Sequence, residues 1–339
     1  MQENFKGHFE AAKITFDKAG GELALEGKTI KETNENFEKA TRELWKEFAV
    51  SGVLQFDKEK GGQVLKPFTD LDGRSALNIL KMSGIDISNL EYVKPGDYKT
   101  GAINLDTGDK FGVEYDEDSY TAFFDHHAKG TKEVTSTTEI VYNTMTKLDL
   151  LKKSKELNRL VDFVTKIDNR KYPPEEFLKS GKTILGIQRD LDFEKLLNYF
   201  KDHDSPTEEL SPEDFEKYGL KESAVRQQKI VDESMILLEK MEKEGKVVDT
   251  KFGKVLINTN NELKTGASAT YVKFDGIINI TPGKSFAFTL KKDNFNEEEL
   301  RQKLGDKFQG KIIRGQMWIY NDTEPLGLSI EEIIGSLVD

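Results

Sequence analysis

Short apolar segments alternate with segments of helical periodicity between about residues 61 and 205, and this alternation limits the fold more than any other feature of the chain. The pattern predicts strands at 64–69, 90–93, 102–105 and 120–124, and helices at 75–82, 138–148 and 157–167. Such alternation is typical of an α/β domain in which helices cover a parallel sheet. Ligands of such sheets bind at the carboxyl ends of the strands.

The rest of the chain divides into four segments. An apolar stripe at helical spacing within residues 1–60 predicts an N-terminal helical extension that packs on another surface. A Ser-Pro-rich stretch and a long charged helix at 221–246 predict a linker helix over 206–246. Residues 247–325 predict a smaller α/β domain, and 326–339 form a C-terminal tail. The elements predicted in this domain are strands at 254–257, 269–274, 277–280, 285–290 and 316–320 and a helix at 297–304.

The charge and composition of the chain limit its possible binding partners and indicate its cellular compartment. The net charge of −11 gives no general attraction to long duplex DNA, but local contacts could still hold a short oligonucleotide or a nucleotide. The absence of cysteine excludes a disulfide framework and a zinc–thiolate site, and it suits a reducing compartment. Residues 1–20 lack the apolar region of a signal peptide, and no apolar run approaches a membrane span. We therefore expect a cytoplasmic protein with no membrane partner.

Aspartates follow nearly every predicted strand of the 61–205 region, as Asp70, Asp106 and Asp125 do. In Asp70-Leu71-Asp72-Gly73, two carboxylates two residues apart can project the same way and converge on a hard divalent cation. An ordinary solvated turn is the alternative, since Asp and Gly are also common turn residues. Asp106 and Asp168, taken singly, are more typical of turns or helix caps than of metal ligands.

Two of the four histidines stand together in Asp125-His126-His127, directly after the apolar segment 122–124. Neutral imidazole is the commonest metal ligand, and a neighbouring carboxylate can orient its ring. An exposed loop or a core histidine is the alternative. Taken together, the five aspartates and two histidines favour Mn²⁺, Mg²⁺ or Fe²⁺ over a structural zinc ion. Two such ions would suit in-line attack of a hydroxide on phosphorus.

The ordered set of motifs resembles the DHH phosphoesterase family, which includes RecJ-like and oligoribonuclease-like members. Residues 69–76 resemble its first motif, Asp106 within 104–108 the second, and 124–130 the third, with the helix start at 136–142 after it. Asp168 resembles the fourth motif. The resemblance covers residues 61–205. It implies a parallel-sheet DHH domain joined by a linker helix to a smaller α/β domain that binds substrate.

The resemblance also implies a set of cation ligands. Two ions are implied, Mn²⁺ with Mg²⁺ as the alternative. Asp70 would bind one ion, Asp72 the other, and Asp106 would bridge both. His126 and Asp168 would complete the second site.

Catalytic and substrate-binding roles follow from the same resemblance. Asp125, His126 and His127 would form the catalytic triplet, in which Asp125 orients the histidines and His127 lies near the scissile phosphate. The C-terminal domain resembles the DHH-associated domain more loosely. There Lys311 and Arg314, among flexible glycines, could hold phosphates.

We therefore expect a metal-dependent phosphodiesterase that hydrolyses short oligonucleotides or small, including cyclic, dinucleotides to mononucleotides. A pyrophosphatase or polyphosphatase is one alternative. A nucleotide-binding sensor with weakened catalysis is another, because Phe68 stands where the family commonly has a histidine ligand. That departure would leave the first ion with only Asp70 and Asp106. The pattern also permits a homodimer.

Overall fold

Two compact units make up the described part of the chain. The computed structural model describes residues 63–65, 70–85, 87–88, 90–93, 97–107, 110–116, 121–127, 134–259, 263, 267–281, 285–291, 296–304, 311–313, 317–320 and 335. The first unit takes the described residues up to Lys171 together with 192–204, and the second takes 172–191 and those from Ser205 onward. The predicted extension at 1–60 and, apart from Gly335, the tail at 326–339 lie outside the described residues.

The helices and strands follow one another in a mixed order. They are β1 (Gln63–Leu65), α1 (Leu71–Met82), β2 (Leu90–Tyr92), β3 (Ile103–Leu105), β4 (Phe111–Asp116), β5 (Thr121–His126), α2 (Thr137–Lys147), α3 (Lys155–Asp168), α4 (Ile184–Ile187), α5 (Phe193–Asp202), α6 (Pro212–Lys217), α7 (Lys221–Lys243), β6 (Val247–Thr250), β7 (Gly253–Thr259), α8 (Ala267–Lys273), β8 (Gly276–Thr281), β9 (Ser285–Leu290), α9 (Glu297–Leu304), β10 (Lys311–Ile313) and β11 (Met317–Tyr320). Two 3-10 helices, Pro174–Leu178 and Gln188–Asp190, flank α4. The predicted α/β class is confirmed.

The first unit is built on a five-stranded sheet in the order β2-β1-β3-β5-β4. The pairs β1·β2, β1·β3 and β3·β5 are parallel, so the carboxyl ends of β3 and β5 lie side by side. The edge strand β4 runs antiparallel to β5. The sheet is therefore mixed, and the sequence prediction of a parallel sheet missed β4. Only residues 117–120 separate β4 from β5, and so short a connection suits an antiparallel pair.

Helices α1, α2 and α3 begin where a side chain accepts a hydrogen bond from a free backbone N–H of the first turn. Asp70 accepts from Gly73, Ser136 from Glu139 and Ser154 from Leu157. The core of this unit contains fully buried side chains of the helices and of the sheet. They include Ile79, Leu80, Ile103, Phe124, Phe163 and Phe200.

The second unit carries a six-stranded sheet in the order β10-β11-β9-β8-β7-β6. Only the β7·β8 pair is parallel among the described pairs of this sheet. Helix α7, which the sequence placed in a linker, buries Leu238 and Met241 completely in a core cluster with Leu256 and Ile277 of this unit. The helix therefore packs as a core element of the second unit.

The segment 269–274 was predicted as a strand, and this prediction is wrong: it lies mostly in α8. The parallel pair β7·β8 requires a crossover connection, and α8 lies between these strands in the chain. Ala269 and Phe274 are buried in the core cluster, which accounts for the apolar character of the segment. Among the described residues, no helix has the length and apolarity to cross a bilayer.

Candidate metal centre

Acidic and imidazole side chains from four separate stretches of the first unit meet at one edge of its sheet. Asp72 is the second residue of α1, Asp106 directly follows β3, His126 ends β5, and Asp168 is the last residue of α3. Because β3 and β5 are parallel neighbours, their carboxyl ends bring Asp106 and His126 to the same edge. The two helices supply Asp72 from a first turn and Asp168 from a last turn.

The Nε2 atom of His126 lies at the centre of this arrangement. It is 3.6 Å from Asp72 Oδ2, 3.6 Å from Asp106 Oδ1 and 3.6 Å from Asp168 Oδ2. Two ligand atoms that each lie about 2.1 Å from one cation are at most about 4.2 Å apart. The spacing and the mixed carboxylate–imidazole donor set therefore fit a divalent cation such as Mn²⁺ or Mg²⁺.

Two overlapping groups of ligands share His126. One consists of Asp72, His126 and Asp168, and the other of Asp106, His126 and His127; within each group the donor atoms lie within 4.8 Å of one another. The first group matches three of the ligands that the family resemblance implies for the second ion. The arrangement is therefore compatible with one ion or with two neighbouring ions.

Asp125 orients His127. Its Oδ1 atom is 2.8 Å from His127 Nδ1 and accepts the backbone N–H of the same residue at 2.9 Å. Asp106 Oδ1 lies 3.2 Å from the same ring nitrogen. A proton on Nδ1 satisfies these carboxylates and leaves the lone pair on Nε2. The side chain of His127 keeps 24% of its surface exposed, whereas Asp125 is fully buried, so His127 is the more accessible of the two.

Asp106 adopts a left-handed backbone conformation, with φ at 54°. Its backbone N–H donates to Phe124 O across the β3·β5 pair at 2.9 Å, which fixes the turn at the end of the strand. Asp and Asn tolerate this conformation better than most residues with a Cβ atom. Aspartate at this position is therefore compatible both with the turn and with a carboxylate directed at the centre.

The N-terminus of α2 holds two of the carboxylates. Asp72 Oδ2 accepts the Thr137 N–H at 2.9 Å, and Asp72 Oδ1 accepts the Thr138 N–H at 2.8 Å. The Thr137 hydroxyl donates to Asp106 Oδ1 at 3.3 Å. The sequence predicted the start of a helix at 136–142, but it did not predict these hydrogen bonds. The Ser136–Glu139 spacing signals a helix cap, but it does not say which distant carboxylate the free N–H groups will meet.

Burial and mutual repulsion make the centre bind protons more tightly. The pKa of Asp72 is raised from 3.8 to about 7, mainly by burial and also by the charges of Asp106 and Asp168. Burial lowers the pKa of His126, but the neighbouring carboxylates of Asp106, Asp168 and Asp72 outweigh this effect and raise the pKa above 6.5. A bound cation would replace these protons and relieve the repulsion between the carboxylates.

The remaining sequence-predicted residues lie elsewhere or outside the described part of the chain. Asp70 is exposed and caps α1 through the Gly73 N–H at 3.0 Å; it belongs to neither ligand group found among the described residues. Lys311 lies in β10 of the second unit. Arg314 and Phe68 lie outside the described residues.

Comparisons with known proteins add little to this geometry. No protein-family model and no curated protein matches the sequence. Among solved structures, the chain is similar to the crystal structure of an uncharacterized protein from Helicobacter pylori G27, with 14% sequence identity and a TM-score of 0.27. The match covers 77% of this chain and 92% of the other. At this TM-score the similarity supports no argument about fold or function.

Proposed function

We propose that the protein is a divalent-cation-dependent phosphodiesterase that hydrolyses short oligonucleotides or small linear or cyclic dinucleotides. One observation carries the proposal: three carboxylates from distant parts of the chain surround His126 Nε2 at 3.6 Å. The order of these residues resembles the DHH phosphoesterase motifs. The proposal includes the architecture of that family, with a DHH domain and a substrate-binding domain, in which the predicted linker helix α7 packs as part of the second unit.

The residues of the metal centre would have separate roles in binding the cation and the substrate. Asp72, Asp106, His126 and Asp168 would hold Mn²⁺ or Mg²⁺, and divalent cations polarise phosphoryl oxygens and lower the pKa of bound water. His127, oriented by Asp125, is partly exposed and could contact a phosphate oxygen of the substrate. Lys311 and Arg314 are the proposed phosphate contacts from the C-terminal domain.

The charge of the chain supports a small substrate. A net charge of −11 disfavours the long electrostatic track that processive nucleases use, but it does not oppose local binding of a few phosphates by cations. We therefore propose short oligonucleotides and dinucleotides as substrates. Pyrophosphate and polyphosphate belong in the same substrate panel as the alternative within hydrolases.

The proposal is tested by incubating the full chain with Mn²⁺ and a panel of linear dinucleotides, cyclic dinucleotides and pyrophosphate, with chromatographic identification of products. We expect mononucleotide products and their loss in Asp106→Asn and His126→Ala. His203→Ala is the matched control, because His203 follows α5 and stacks on Tyr199 with ring centroids 4.4 Å apart. Turnover that persists in both site variants would refute the proposal.

A nucleotide sensor is the second candidate, because two positions weaken the case for a complete first ion site. Phe68 cannot bind a metal, and the Asp70 carboxylate accepts a helix N–H. Tight binding of a dinucleotide without turnover under every cation tried would favour this candidate. The variant Phe68→His separates the two further: for an enzyme we expect tighter cation binding with unchanged or increased activity.

A further inference from the structure

Four consecutive hydroxyl residues are buried beside the metal centre. We call residues 135–138 (Thr135, Ser136, Thr137 and Thr138) the TSTT segment. Thr135 is 8% exposed and the other three are 0% exposed, whereas serine and threonine are mostly exposed in folded proteins. Burial of four hydroxyl groups in a row requires partners for them, and those partners define what the segment does.

Two of the hydroxyl groups contact residues that carry the proposed ligands. Thr137 joins two carboxylates, since its N–H donates to Asp72 Oδ2 at 2.9 Å and its hydroxyl donates to Asp106 Oδ1 at 3.3 Å. Thr138 donates from its N–H to Asp72 Oδ1 and from its hydroxyl to the Asp72 backbone carbonyl, both at 2.8 Å. Both oxygens of Asp72 are thus held, and the carboxylate cannot rotate without breaking a hydrogen bond.

The same segment is tied to the end of α3 that carries Asp168. The Ser136 and Thr165 hydroxyl groups share a hydrogen bond of 2.8 Å. Asn169 Nδ2 donates to the Thr135 carbonyl at 2.9 Å and to the Thr165 carbonyl at 2.8 Å. Thr165 lies in the last turn of this helix, which ends at Asp168, and Asn169 directly follows Asp168, so the segment is linked to the third carboxylate through the backbone.

We infer that the TSTT segment sets the spacing of Asp72, Asp106 and Asp168 around His126, with Thr137 as its central positioning residue. Thr137 acts through the carboxylates and does not itself bind the cation. Groups that hydrogen-bond to metal ligands typically change metal affinity by about 10–100-fold when they are removed. The inference rests on the cation site of the proposed function, and it adds a residue that the motif pattern did not assign.

The test compares Thr137→Val, which keeps the side-chain shape but removes the hydroxyl, with Thr137→Ser, which keeps the hydroxyl. Thr144→Val is the matched control, because the Thr144 hydroxyl donates at 2.8 Å to Ile140 O within the same helix. Mn²⁺ affinity is measured by calorimetry on the full chain, and the electron paramagnetic resonance spectrum of bound Mn²⁺ reports its ligand geometry. We expect about 10-fold weaker binding and an altered spectrum in Thr137→Val, near-normal binding in Thr137→Ser, and no change in the control.

The outcomes separate the two proposals. If the unmodified chain binds no Mn²⁺, both the proposed function and this inference fail. If it binds Mn²⁺ and a folded Thr137→Val binds it equally well, the positioning inference fails and the proposed function stands. If Thr137→Val does not fold, Mn²⁺ binding is measured on Thr165→Val instead. This substitution removes the hydroxyl group that bonds to Ser136, and Thr165 is half-buried and belongs to neither ligand group. Weaker binding in Thr165→Val supports the inference, and unchanged binding overturns it.

Discussion

Without a bound cation, the protein is expected to become less stable as the pH rises from about 4 to about 8. The loss should be larger than in a variant that has one carboxylate fewer at the metal centre. Folding raises the pKa of Asp72 from 3.8 to about 7 and the pKa of His126 above 6.5. A group whose pKa is raised by folding stabilises the folded state at low pH, where it is protonated in both states. That contribution is lost as the pH passes through the folded-state pKa, so both groups act in the same direction.

The size of the effect follows from the interval between the two pKa values of Asp72. Each pH unit corresponds to about 1.4 kcal/mol, so the interval from 3.8 to about 7 sets an upper limit of about 4 kcal/mol. His126 adds to the loss above pH 6.5. After burial, the charges of Asp106 and Asp168 are the next largest causes of the raised Asp72 pKa. Removing either charge should therefore reduce the loss of stability with pH.

The assay is urea unfolding followed by circular dichroism in the presence of a chelator, at about pH 5 and about pH 8. Asp106→Asn is the comparison variant, because it removes the largest neighbouring charge that raises the Asp72 pKa and keeps an oxygen that can accept the Thr137 hydroxyl. We expect the unmodified chain to lose more free energy of unfolding between the two pH values than the variant loses. Added Mn²⁺ should restore stability at the higher pH in the unmodified chain.

Parallel pH profiles for the unmodified chain and Asp106→Asn would show that the carboxylates do not repel one another in the folded state. In that case the electrostatic account of the centre is wrong. A stability that rises with pH in the unmodified chain relative to the variant would contradict the sign of the effect.

Three further substitutions test the packing. Gly186→Ala places a Cβ atom 2.3 Å from the Lys179 carbonyl oxygen, so we expect a destabilisation of about 1–3 kcal/mol in thermal unfolding. Leu238→Ala opens a cavity in the core cluster of the second unit and should cost about 2–5 kcal/mol, measured by urea unfolding with unchanged Mn²⁺ affinity. In the part of the chain that the structure describes, the buried Ser75 hydroxyl has no hydrogen-bond partner, so Ser75→Ala should raise stability by up to about 1 kcal/mol in the same assay.

Much of the secondary structure was predictable because local signals agree with the fold. The predicted helix at 297–304 is α9, and the predicted strand at 285–290 is β9. The strand prediction for 269–274 failed because its β-branched and aromatic residues favour a strand locally, whereas packing of Ala269 and Phe274 into the core stabilises a helix. Strand β4 was missed, although Phe111, Val113 and Tyr115 alternate with other residues. Tertiary packing decides such cases because local propensities are weak.

The positions of the candidate ligands along the fold were predictable in part, whereas their hydrogen-bond partners were not. The positions of Asp106 and His126 after apolar segments indicated that both side chains would lie at strand ends. The sequence did not indicate that Asp72 would accept two N–H groups from a helix about 65 residues further along, since hydrogen-bond partners at that separation depend on how helices pack. Whether Asp70 and Arg314 act in binding stays a prediction.

The sequence by itself determined the α/β class and the identity of the acidic and imidazole groups, because apolar periodicity and residue chemistry are local properties. Only the tertiary structure decided that Asp72, Asp106 and Asp168 would surround one nitrogen of His126. That arrangement depends on the parallel pairing of β3 with β5 and on the packing of α1, α2 and α3. Such contacts join residues far apart in the chain, and no local pattern specifies their distances.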